Sequence, residues 1–364
     1  MNQSVPTSGA LDPDVTAEIA LRVWKYREGE AVALMIHLGD RLGLYRAMWG
    51  TGPMTADDLA RALNMSKRWL FEWLRGQAAA GLIATDDGQV FELTAEQAEV
   101  LANEDGSLFF AAGAFGGGVE PGLVDRLAEA FRTGIGLPYD ALGPSGAHQT
   151  ERTLGPWTRG TLVPVLLPAL DGVVERLERG ARVADVGCGG GLALAVLAEA
   201  FPASTFLGID PSRHAIDAAR GKADAGRLEN VTLVHGSGEE ITDHGLFDLV
   251  LAFDCLHDMA HPDRVLAAIS AALASDGALL VKEIRSTGDF ETDRSNPVLA
   301  MMYASSIITC LSCATSEPDG MGLGTLGLPA DRLREMAADA GLTGFVLHDI
   351  GDPANLYYEI RPGT

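Results

Sequence analysis

A chain of 364 residues with 47% hydrophobic side chains is long and apolar enough for two domains with sizeable cores. Its net charge of −23 disfavours a nucleic-acid partner, because phosphate binding rests on clustered Lys and Arg, and fits a small-molecule ligand instead. Four cysteines in so long a chain exclude a disulfide framework, and no apolar run reaches the length of a membrane span, so a soluble, cytoplasmic protein is expected.

Met1 to Asp14 is rich in Pro, Gly and Ser, lacks the pattern of a signal peptide, and reads as a frayed end. From Val15 to Trp49 apolar residues recur at helical spacing, interrupted at Gly29, Gly39 and Gly43. This helix has more apolar positions than a small domain covers alone, which predicts a two-fold homodimer. Thr55 and Ser66 are N-cap candidates for helices over 56–63 and 67–80, with Gly81 as the stop of the second. Leu82 to Thr85 and Val90 to Leu93 flank Asp86-Asp87-Gly88, a hairpin signal. Helix, turn, helix, then hairpin is the pattern of a winged helix. Its Arg61, Lys67, Arg68 and Arg75 are outnumbered by Asp57, Asp58, Glu72, Asp86 and Asp87, which favours a dimerisation scaffold over a DNA reader.

Residues 106–178 read as a Gly-rich helical connector, with a bend at Gly113 to Gly118 and helices over 123–132 and 162–177. Tyr139, His148 and Trp157 fall in the loop-like part between those helices, where they either pack or line a pocket. From Ala181 onward, seven strands alternate with helices, the signature of a mostly parallel sheet covered on both faces. The strands are expected at 182–186, 205–209, 231–234, 246–253, 278–284, 344–348 and 356–359.

The first of these strands runs into Asp185-Val186-Gly187-Cys188-Gly189-Gly190-Gly191, and a helix follows. Glycines at this turn let the backbone approach a ligand closely, and the helix start offers free N–H groups. The second strand ends in Asp210, placed to accept hydrogen bonds from ribose hydroxyls. The glycine spacing departs from the G-x-G-x-x-G of dinucleotide binders and suits a ligand with an amino-acid tail.

On these residues the chain resembles the class I S-adenosylmethionine (SAM) methyltransferases, whose first motif is D-x-G-x-G-x-G. Together with the winged helix, it is similar to small-molecule O-methyltransferases. The resemblance implies an α/β fold: a Rossmann-like seven-stranded methyltransferase sheet at 179–364, behind an N-terminal helical and winged-helix dimerisation domain at 1–105. It implies SAM as cofactor and S-adenosylhomocysteine (SAH) as product, held by Asp185, Gly187, Gly189, Gly191 and Asp210. Ser237, Gly238 and Glu239, after the third strand, are implied near the adenine, and Asp254, after the fourth, on the same side.

The fourth strand leads to Cys255-Leu256-His257-Asp258-Met259. His257-Asp258 resembles the start of the H-D-W-S-D motif of plant-type O-methyltransferases, with Met259 in place of the Trp. The resemblance implies that His257 takes the acceptor proton, that Glu283 orients it, and that Asp258 belongs to the same catalytic group. A second family glutamate has no match in Gly320 to Gly327. No histidine shows metal-ligand spacing, and Cys310-x-x-Cys313 has no partner pair, so no metal is expected. The segment 285–328 exceeds an ordinary loop and carries a helical pattern over 296–310, either a lid on the crevice or a dimer element. The expected activity is methyl transfer to a small apolar or aromatic metabolite, at oxygen. Two alternatives stay open: a SAM-binding enzyme doing other chemistry, and a SAM-sensing winged-helix regulator.

Overall fold

The computed structural model describes residues 11–363, so most of the N-terminal stretch expected to fray lies outside it. The chain divides into two compact units: residues up to Glu104 with Phe109–Gly118, and Asp105–Leu108 with Val119 onward.

In the first unit, Asp12 caps a helix over Pro13–Arg41 by accepting from the N–H groups of Asp14 and Val15. The helix runs unbroken through Gly29 and Gly39. Gly39 is there for packing: a Cβ would lie 2.5 Å from Trp73 and 2.7 Å from Tyr45, whose rings meet edge to face. The break comes at Gly43, where φ is +69°. Helices Ala56–Leu63 and Lys67–Ala79 follow, the first closed by a Thr55/Asp58 capping box. Leu44, Tyr45, Leu59, Leu74, Ile83 and Phe91 fill the core. The wing is smaller than expected. Ala84 and Glu92 form a single bridge, and β2 (Val90–Phe91) pairs instead with β1 (Met54–Thr55). Each basic side chain on this surface is engaged: Arg61 with Asp58, Lys67 with Asp57, Arg68 with Glu72, and Arg75 over the Phe71 ring.

The second unit is built on β3 (Arg182–Val186), β4 (Thr205–Asp210), β5 (Val231–His235), β6 (Phe247–Phe253), β7 (Leu273–Ile284), β8 (Gly344–His348) and β9 (Asn355–Arg361), in the order β5-β4-β3-β6-β7-β9-β8. The first five strands pair in parallel, and β9 alone runs against the rest, pairing antiparallel with both β7 and β8. Val183, Ala184, Val250, Leu251, Leu280 and Val281 are fully buried, because helices cover both faces. One layer packs the Pro262–Ala272 and Ala330–Asp339 helices, and the other the Leu192–Ala200 helix and the connector.

The connector departs from expectation. Residues 162–177 are not one helix. Pro164 and Pro168 remove backbone donors, so Thr158–Leu166 winds as a wider π-type stretch, and a fresh helix, Val173–Arg179, starts after Gly172. Tyr139, His148 and Trp157 are helical rather than looped, in the turn Tyr139–Leu142 and the helix Gly143–Trp157. No helix among the described residues is long and apolar enough to cross a membrane.

Candidate active site

β3 and β6 lie side by side at the middle of the sheet, and the chain crosses from one half of the sheet to the other between them. Crevices at such a switch point sit beyond the carboxyl ends of the strands. Gly187 turns the chain out of β3 with φ of +73°, and a Cβ there would come 2.8 Å from that of Cys255. Gly191 closes the turn with φ of +73° against Ala219. Between them, Asp210 holds the loop from the end of β4. Its two oxygens accept from Gly189 N–H and Ser212 N–H, each at 2.8 Å. Each carboxylate oxygen still has a lone pair for a ligand. Burial pushes the Asp210 carboxyl above its ordinary value.

Asp185 is 2% exposed, and burial, reinforced by Asp210, pushes its carboxyl up to about 8. An acid whose pKa is raised by folding binds more protons folded than unfolded. Stability is therefore lost as pH rises from the ordinary carboxyl range through about 8. Asp185→Asn should raise the melting temperature of the ligand-free protein by several degrees at pH 8 and have little effect at pH 4. A melting curve insensitive to the substitution at pH 8 would contradict this.

One cavity of about 410 Å³ spans the site. Of the cofactor candidates, Asp185, Gly187, Gly189, Asp210, Ser237, Gly238, Glu239 and Asp254 border it, whereas Gly191 serves the turn behind it. Gly238 also has a packing reason, since a Cβ would lie 2.7 Å from Val186. Asp254, with φ of +50°, pairs with the buried Lys282 and accepts from Asn355 at 2.7 Å. Lys282 lies 4.5 Å from the centroid of the Trp157 ring, which stacks on Tyr357 at 5.9 Å and meets Phe253 edge-on. Tyr139 and Trp157 line the cavity, and His148 does not.

Two residues that sequence reasoning passed over anchor the connector here. Asp140 accepts from Ser212 Oγ at 2.6 Å, and Glu151 pairs with Lys222 at 2.5 Å beside Gly190. Neither has a fixed spacing from the glycine turn, so no local signal marked them. Lys282 was detectable as a lone cation in an apolar strand pattern. From the long segment 285–328, Cys313, Ser316 and Glu317 reach the cavity. The helix Leu299–Ile308 in the same segment leaves Met301 and Tyr303 exposed.

The turn Leu256–Asp258 follows β6 and also reaches the cavity. His257 Nδ1 and Glu283 Oε2 are 2.5 Å apart, and Glu283 Oε1 also accepts from His257 N–H at 3.3 Å. His257 Nε2 meets Cys310 Sγ at 3.3 Å. Burial works to lower the His257 pKa, but Glu283 and Cys310 outweigh it and push it well above the ordinary value. His257 is 3% exposed and sits a layer behind the cavity, whereas Asp258 borders it. Burial pushes the Asp258 carboxyl up to about 7.

A methyltransferase domain model matches residues 184–279, which contain the glycine turn, Asp210 and His257-Asp258. A Rv2258c-like winged HTH domain model matches residues 30–103. The ubiquinone biosynthesis O-methyltransferase of Azorhizobium caulinodans is 29% identical over 238 residues, 62% of this chain and 87% of that protein. The trans-aconitate 2-methyltransferase of Deinococcus radiodurans is 36% identical over 28% of this chain and 37% of its own length. Among solved structures, an O-methyltransferase family protein from Burkholderia thailandensis superposes with a TM-score of 0.65 at 20% identity, covering 97% of this chain and 99% of its own. Human N-acetylserotonin methyltransferase in complex with SAM gives 0.67 at 17% identity, covering 98% and 100%. The chain is a SAM-dependent methyltransferase of the class I fold, its methyltransferase domain carried behind a winged-helix domain.

Proposed function

We propose that the enzyme transfers the SAM methyl group to a hydroxyl of a small aromatic or otherwise apolar metabolite. The observation that carries this reading is one cavity bordered both by the glycine turn with Asp210 and by Asp258, the neighbour of the buried His257–Glu283 pair. SAM lies in this cavity, its ribose on Asp210, its amino-acid tail toward Asp185 and the glycine turn, and its adenine toward Ser237 to Glu239. Asp254, at the cavity's border, acts by holding Lys282. The acceptor fills the recess formed by Tyr139, Trp157, Phe253, Met259 and Cys313, to which the connector 106–178 contributes its two aromatic rings. Alignment of the acceptor oxygen with the sulfonium methyl supplies most of the acceleration, and the His257–Glu283–Asp258 group takes up the hydroxyl proton. Oxygen is also the acceptor atom in the names of the Azorhizobium relative and the Burkholderia structure.

Incubation with methyl-labelled SAM and a metabolite extract tests the reading. A labelled low-mass product, formed one-for-one with SAH and keeping its label under the mild base that would hydrolyse a methyl ester, is expected. SAH formation without a labelled product would overturn it.

The enzyme works as a homodimer in this reading. Val15, Ile19, Val23, Trp24 and Tyr26 on the Pro13–Arg41 helix are all more than half exposed, an apolar surface that a second copy would cover. Sedimentation of the full chain at micromolar concentration should give a dimer, and a monomer there would remove this assignment.

A further inference from the structure

The proton-accepting group contains three ionisable side chains, and their positions are not equivalent. Both ring nitrogens of His257 are engaged, Nδ1 by Glu283 and Nε2 by Cys310, and the ring is shut away from the cavity. An acceptor hydroxyl placed in the aromatic recess does not meet it. Asp258, the next residue in the same turn, borders the cavity that Tyr139, Met259 and Cys313 also line.

Resting on the methyl-transfer reading above, we infer that Asp258, not His257, is the catalytic residue that takes the acceptor's proton, and that the acceptor enters with that proton in place, as a neutral hydroxyl rather than a preformed anion. In the step, a lone pair of the acceptor oxygen forms the new C–O bond to the SAM methyl. The C–S bond breaks with its electron pair left on sulfur, giving SAH, and the O–H proton passes to the Asp258 carboxylate. His257 and Glu283 are positioning residues that fix the turn carrying Asp258.

The electrostatics agree with the geometry. After burial, the groups acting on Asp258 are His257, which holds its pKa down, and Glu283, Asp210 and Asp254, which push it up. Neutral Tyr139, Cys255 and Cys313 complete its surroundings. A carboxyl poised near neutrality both accepts and releases a proton readily at working pH. Histidine protonated by a buried glutamate is a poor base at that pH. Among the charged lining residues the acids far outnumber the one lysine, Lys282, which is already held by Asp254, so an acceptor carboxylate or phosphate finds no free lysine or arginine among the described lining residues.

Calorimetry with SAM and SAH on the full chain, in buffers of different ionisation enthalpy, reads the ionisation of Asp258 without any acceptor. The SAM sulfonium should expel the proton from a half-protonated carboxyl facing it. At pH 7, Asp258→Asn should cut the protons released on SAM binding by about 0.5 per site and leave those on SAH binding nearly unchanged. In turnover with the acceptor recovered from the labelled-SAM screen, Asp258→Asn should lower kcat by about 10²–10⁴-fold and abolish the acid limb of the pH profile. His257→Asn should keep that limb. Equal proton release by wild type and Asp258→Asn overturns the inference, as does an acid limb that vanishes with His257→Asn and survives in Asp258→Asn. If the calorimetric difference is present but no labelled product forms, the methyl-transfer reading fails instead.

Discussion

Asp210→Ala should weaken SAH binding by about 10–150-fold, the equivalent of about 1.5–3 kcal/mol for hydrogen bonds to a charged group. Two losses combine in this variant. The ribose loses its acceptor, and the backbone N–H groups of Gly189 and Ser212 lose the carboxylate that fixes them. A glycine turn released in this way also costs order on binding, because its residues are free to leave the bound conformation. Calorimetry of SAH against the wild type and the variant, with thermal unfolding as a check on folding, measures the effect. An affinity within twofold of the wild type would remove Asp210 from the cofactor site.

Lys282→Ala should lower stability by about 3–5 kcal/mol, a drop in melting temperature of roughly 4–7 °C for a chain of this size. The ammonium is 1% exposed and pairs with Asp254, whose other oxygen accepts from Asn355. Removing the lysine leaves a carboxylate out of water with one amide donor, and removes the cation above the Trp157 ring. Replacing both partners by uncharged groups of similar volume, Lys282→Met with Asp254→Asn, should recover most of the loss, since no uncompensated charge remains. Differential scanning calorimetry of the three proteins decides it. A single variant that melts with the wild type would contradict the buried-pair account, and so would a double variant no better than the single.

The core of the sheet was legible because parallel strands buried on both faces leave unbroken apolar runs, and β3 falls on the residues that pattern marks. The start of β7 was not, since Ala274, Ser275, Asp276 and Gly277 lack strand composition and the pairing with β6 shifts register there. In the connector, helical spacing over 162–177 outweighed its prolines, whose missing donors decide the geometry. Gly39 read as a break because a glycine weakens a helix, whereas close packing of Trp73 and Tyr45 requires one inside it.

At the site, residues adjacent to strand ends were readable, since topology alone brings the ends of β3, β4, β5, β6 and β7 together. The pairing of His257 with Glu283 joins two such ends. Side-chain direction was not readable. Whether His257 or Asp258 faces the cavity depends on the pitch of one short turn, and Cys310 arrives from a segment with no spacing relation to either. Met259, standing where the resemblance expects a tryptophan, lines the cavity.

Diffraction from crystals grown with SAH tests the central claim most directly. SAH should occupy the cavity beyond β3 and β4, with its ribose hydroxyls on Asp210, its amino-acid tail at the glycine turn, and its sulfur facing the recess that Asp258 borders. SAH bound elsewhere, or with its sulfur turned away from that recess, would contradict the account.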